Sequence, residues 1–166
     1  MGIALAFPII FLLIILQTTI AGQITLLSGS TDLVLLWLSA WAIQGRVKSA
    51  WFWAILGGVC VAFISAIPFY IPIISYSATT FFARMINKRV WQSPLLMMFV
   101  VTILGSLLLY FSSYAAMTVN GISMSWKTSL IEIIIPSTLL NLFFSIPMYA
   151  IVKDTAQWAY PLEVNE

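Results

Sequence analysis

Histidine is absent from this sequence, and cysteine occurs once, at Cys60. The first absence excludes a catalytic triad or metal centre built on imidazole. The second excludes an intrachain disulfide. Cys60 lies in an apolar run and reads as a packing residue, because buried thiols behave as small hydrophobes. Charge is scarce too: 7% of the 166 residues are Asp, Glu, Lys or Arg, where a soluble domain carries about 25%. With 62% hydrophobic residues, too little polar surface remains to face water, and lipid is the expected solvent. The composition predicts one integral membrane domain over residues 1–166, with a short polar tail from Asp154 onward.

Chemical constellations are also missing. There is no HExxH, no pair of carboxylates at helical spacing and no Ser-Lys dyad within one segment. The "LGG" at residues 56–58 lies inside an apolar run and is not a phosphate loop. Seven basic residues scattered through loops do not make a nucleic-acid surface. The expectation is a protein that is not an enzyme and uses no metal or cofactor. Ionisable groups at membrane depth are functional candidates by default, but each here has a plainer reading. Asp32 in "STDL" suits a helix N-cap. Glu132 lies near the interface, close in sequence to Lys127. Arg84 ends a segment and can snorkel.

What is present is a series of apolar runs. About 20 residues cross the hydrocarbon core as a helix, and six spans are expected: 3–22, 31–44, 50–67, 73–86, 94–119 and 129–152. The second and fourth are short and need polar flanks or a thinner bilayer. The first lacks a basic leader region and a cleavage site, so it reads as a retained helix rather than a signal peptide. Continuous runs of this length argue against a β-barrel, whose strands alternate over about ten residues.

Basic residues orient the spans. Arg46 and Lys48, then Arg84, Lys88 and Arg89, then Lys153 fall on one side, and only Lys127 falls on the other. This asymmetry predicts both termini in the cytoplasm. The loops holding Arg46, Lys48, Lys88 and Arg89 are read as topology determinants; contact with anionic lipids or cytoplasmic filaments is the alternative. Trp51, Trp53, Trp126 and Trp158 flank spans and are expected at the interfaces. Asn120-Gly121 supplies a turn.

Two patterns point to helix contacts. Ala50, Ala54, Gly58, Ala62 and Ala66 place a small residue at every fourth position of the third span. Such a stripe admits a close neighbour, either within the bundle or from another protein. Gly105, with Ser112 and Ala116, repeats it more weakly in the fifth. The last span carries Pro136, Pro147 and Asn141. Each proline frees a carbonyl, that of Glu132 or Phe143, and lipid cannot satisfy it. The proline face is therefore expected to point into protein, with the helix bent twice and Asn141 bonding across helices on another side.

Three stretches taken in order resemble the MreD family of bacterial rod-shape-determining proteins. They are "LQTTI" at 16–20, with Gln17; "TDLVLLWLSAWAIQGRVKSAWFWAILGG" at 31–58, with Asp32 and Gly45; and "IPSTLLNLFFSIPMYAIVK" at 135–153, with Asn141, Pro147 and Tyr149. Thr31 stands where the family often has proline, and the acid that many members carry after the third span is absent. The resemblance implies a non-enzymatic inner-membrane scaffold of the elongasome. It implies a partner like MreC engaged through its transmembrane helix, RodA and penicillin-binding protein 2 reached through that complex, and MreB filaments beneath the membrane. It also implies a fold similar to the substrate-binding subunits of energy-coupling-factor vitamin transporters. A capture subunit of that kind is the alternative function, and it requires a polar cavity facing outward.

Overall fold

A computed structural model describes residues 3–19, 23–87, 93–122 and 125–161. Among them the fold is all-α, with six helices: α1 Ala6–Thr19, α2 Leu33–Ile43, α3 Ala50–Ile64, α4 Tyr70–Asn87, α5 Pro94–Val119 and α6 Trp126–Ala159. Between α1 and α2 a small antiparallel hairpin pairs β1 Thr25–Leu26 with β2 Gly29–Ser30. The runs 50–67 and 94–119 become α3 and α5 nearly as the sequence suggests. The last helix is longer than its apolar run. It begins at Trp126 and continues past Lys153 and Asp154 to Ala159, so much of the expected tail is helix. Lys88 and Arg89 lie outside the described residues.

The helices differ in what their length allows. At about 1.5 Å per residue, α2 is about 16 Å long, whereas α5 and α6 exceed the ~30 Å hydrocarbon core. By length and composition, α5 and α6 are the two described helices that can cross a membrane. Helix α2 is apolar on every side because it sits at the centre. All ten residues from Val34 to Ile43 are buried, and the helix touches each of the other five. A helix that is hydrophobic all round belongs in such a core.

The surface is apolar as well as the core, unlike that of a water-soluble bundle, and several hydroxyls are buried. Ser39, Ser75, Thr79, Thr80, Thr102, Ser106, Asn141 and Ser145 are buried. Phe11, Phe63 and Phe143 are 68%, 76% and 71% exposed, and Ile74, Leu139 and Ile151 are exposed beside them. On α4 the Ser75, Tyr76, Thr79, Thr80 and Ala83 side faces the core, while Ile74, Phe81 and Met85 face outward.

The small-residue pattern on α3 is an internal seam. Ala50, Ala54, Gly58 and Ala62 are buried, and a Cβ on Gly58 would lie 2.7 Å from Ile73 Cα on α4. Two backbones meet there, so only glycine fits. Ala66 falls beyond the helix and is exposed. The stripe is therefore covered by the bundle's own α4 and is not open to a helix from another protein. Gly105 does the same between α5 and α4, where its Cβ would stand 2.7 Å from Thr79 Cγ2.

Two further expectations change. Trp53 is fully buried rather than interfacial. It stacks on Trp37 and meets Trp41 at a tilt, at centroid distances of 6.1 and 4.6 Å, because α2 packs against α3. Trp51, Trp126 and Trp158 are exposed. The proline face of α6 is also not uniform: Pro136 is buried, but Pro147, Glu132 and Phe143 are exposed. The hairpin folds over Pro136 and does not reach Pro147. Beyond it, the buried line runs through Asn141, Ser145, Met148, Val152 and Ala156. The carbonyl of Glu132, freed by Pro136, accepts the Ser28 N–H at 3.1 Å, and the turn before the proline widens into a π-helical stretch, Ser129–Ile134.

Candidate functional site

Asn141 gathers the polar residues at one end of the bundle. It is fully buried on α6. Its Oδ1 accepts from the Thr31 hydroxyl at 2.9 Å and from the Asp32 backbone N–H at 2.8 Å, and its Nδ2 donates to Ser106 Oγ on α5 at 2.9 Å. One amide thus joins α6, α5 and the start of α2. A buried amide is stable only when so matched.

Asp32 extends the network. It is the N-cap of α2, with extended backbone, and its Oδ1 accepts the Leu35 N–H at 2.9 Å. Its Oδ2 accepts the Tyr76 hydroxyl from α4 at 2.6 Å. The carboxylate is buried, yet none of the described Lys or Arg residues pairs with it. Nearby, Tyr110 on α5 donates to the Ser30 carbonyl, and the Ser30 N–H donates to Ser137 Oγ on α6. Gly29 lets this strand lie against α6, since a Cβ there would meet the Ser137 nitrogen at 2.6 Å.

Beside the network lies a cavity of about 260 Å³. Gln17, Asp32, Tyr76 and Tyr110 bring polar groups to it, and Ile14, Val61, Ile64 and Leu109 give it apolar walls. Gln17 offers its Oε1 to the Val34 N–H at 3.4 Å, leaving its amide NH2 for the cavity. The lining comes from the C-terminal ends of α1 and α3, the N-terminal ends of α2 and α4, and α5. Arg46, Lys48, Arg84 and Lys153 belong to the opposite end.

That opposite end is aromatic. Trp37, Trp41 and Trp53 form a triangle of rings, Trp41 meets Tyr160 at 6.3 Å, and the Tyr160 hydroxyl bonds Ser49 Oγ at 2.9 Å. Arg84 donates to the Val47 carbonyl. Trp37 Nε1, Trp41 Nε1, Gln44 Nε2 and Arg84 Nε are buried without a hydrogen-bond partner among the described residues. Gly45, Arg46 and Lys48 are exposed in the α2–α3 turn, and Tyr149 is half-buried against the core.

Of the residues singled out in the sequence, the structure brings Gln17, Asp32 and Asn141 together at one end. Ala54, Gly58, Ala62 and Gly105 go to helix seams, and Pro147 goes to the surface. Sequence reasoning missed Tyr76, Tyr110, Ser106 and Ser137. For Tyr76 a signal existed: α4 is strongly amphipathic, and Ser75, Tyr76, Thr79 and Thr80 make a polar stripe in an otherwise greasy chain.

No family model, curated protein or solved structure matches this chain.

Proposed function

We propose that the chain is a six-span protein of the bacterial inner membrane, with both termini cytoplasmic, acting as a non-enzymatic scaffold of the cell-elongation machinery. In this role it binds the transmembrane helix of an MreC-like partner and so helps regulate peptidoglycan synthesis by RodA and penicillin-binding protein 2. The observation that carries the reading is the apolar surface, rich in exposed phenylalanine and aliphatic side chains. That surface suits lipid and apolar helices of other proteins, not water. Asn141, Ser106, Asp32 and Tyr76 tie helices to one another, as a scaffold's polar groups would. Because α4 covers the α3 stripe, the partner's helix is received on the outer apolar surface instead. The gathering of basic residues at one end supports the orientation.

Affinity purification of the co-expressed pair in mild detergent tests the scaffold. Recovery of the partner with the folded chain is expected, and its loss under conditions that keep the chain folded overturns the role. Orientation is tested in a Cys60→Ser background. Lys127→Cys reacts with an impermeant maleimide on intact cells, and Arg46→Cys reacts only after permeabilisation.

A second reading has one observation in its favour. The cavity lies at the end opposite the basic residues, where a solute-capture subunit would hold its ligand. That reading requires recovery of coupling ATPases with the chain, and their absence ends it.

A further inference from the structure

The cavity beside Asp32 has features that helix packing does not require. A buried carboxylate is stable only when paired or well bonded, because removing it from water costs several kcal/mol. Asp32 receives hydrogen bonds from the Leu35 N–H and the Tyr76 hydroxyl, and the Val34 N–H also points to it. Its two oxygens offer about four lone-pair sites, so accepting capacity remains on a side chain that lines an open space. The charge has no cationic partner among the described residues, and the bundle's basic cluster is at the other end.

The rest of the lining says what kind of cation fits. Divalent metals take six or more oxygens, and among the described residues no group of three His, Cys, Asp or Glu comes together. One carboxylate set in a wall of Ile14, Val61, Ile64 and Leu109 instead suits a molecule with one cationic end and a hydrocarbon body. Tyr76 and Tyr110 also line the cavity, with the Tyr76 hydroxyl held on Asp32. The volume of about 260 Å³ lies just under the ~300–1,000 Å³ of typical small-molecule sites, so the guest is small. Anionic guests are disfavoured by the same carboxylate.

We propose that this cavity binds a small organic ammonium ion, its charged end received by Asp32 and its hydrocarbon part by the apolar wall. The site stands on the cavity alone and goes beyond the scaffold role. Where it touches the capture reading, the outcomes separate: binding without recruitment of coupling ATPases ends capture and leaves the site standing.

The test uses the purified full chain in mild detergent and three probes of similar size, benzylammonium, benzyl alcohol and benzoate, measured by calorimetric titration. Saturable binding of benzylammonium is expected, with the alcohol about tenfold weaker or more and benzoate not bound. In Asp32→Asn, which keeps an N-cap residue of similar quality, benzylammonium binding falls to the level of the alcohol, and the thermal midpoint falls no further than in Tyr76→Phe. Equal binding of the three probes, undiminished binding by Asp32→Asn, or no saturable benzylammonium binding overturns the proposal. The ranking of probes on the unaltered protein needs no variant, so a poorly folding Asp32→Asn protein leaves the test intact.

Discussion

The two ends of this bundle are closed by different forces. At the cavity end, Asn141, Asp32, Thr31, Ser106 and Tyr76 hold four helices through matched hydrogen bonds. At the other end, the rings of Trp37, Trp41 and Trp53 pack together, and several indole, amide and guanidinium N–H groups have no partner among the described residues. Polar bonds are directional, so the first end is specified by geometry and tolerates little rearrangement. Aromatic packing depends on area and shape, so the second end is secured by bulk. The polar end also encloses a cavity; the aromatic end fills its space with rings.

The comparison can be broken by substitution, with stability followed by unfolding in mixed micelles. Trp41→Ala has the largest expected effect, about 3–5 kcal/mol, because a fully buried indole leaves a void beside two others. A loss under about 1 kcal/mol would mean that stacking does not close that end. Asn141→Ala comes next, at roughly 2–4 kcal/mol, since it strands the Thr31 hydroxyl, the Asp32 N–H and Ser106. If it matches Trp41→Ala, both ends are equally critical; if it costs nothing, the network is incidental. Tyr76→Phe is expected to cost about 1–2 kcal/mol, by removing a single charge-assisted bond to Asp32. Pro147→Ala is expected within about 1 kcal/mol of neutral, because the residue is exposed and lies away from both ends. A large loss there would reveal a structural role for the second proline.

Much of the frame was legible in the chain. Runs 50–67 and 94–119 were read from length and hydropathy, and α3 and α5 follow them closely. The capping of α2 by Asp32 was legible from "STDL", because an Asp before an apolar run satisfies backbone N–H groups that have no other local partner. Asn141 as a cross-helix bonder was legible as well, since an amide in a greasy helix must find a partner. Less visible was α2's place at the centre, because an apolar run of eleven residues reads the same in lipid and in a core. Trp53 was misplaced for the same reason: a Trp near a charged loop suits both an interface and a stack. Its spacing from Pro136 suggests the buried face for Pro147, but the hairpin meets α6 at Glu132, Pro136 and Ser137, and Pro147 is exposed.

The sequence by itself determined the all-α character, the scarcity of charge, the gathering of basic residues toward one end and the backbone needs of Gly58, Asp32 and Pro136. These follow from covalent chemistry and short-range periodicity, which a single segment contains. The tertiary structure alone decided that α4 covers the small-residue stripe, that Tyr76 from one helix reaches Asp32 on another 44 positions away, and that a cavity remains beside that carboxylate. Those relations join residues far apart in the chain, and no local pattern encodes which distant partner fills, or leaves open, the space between helices.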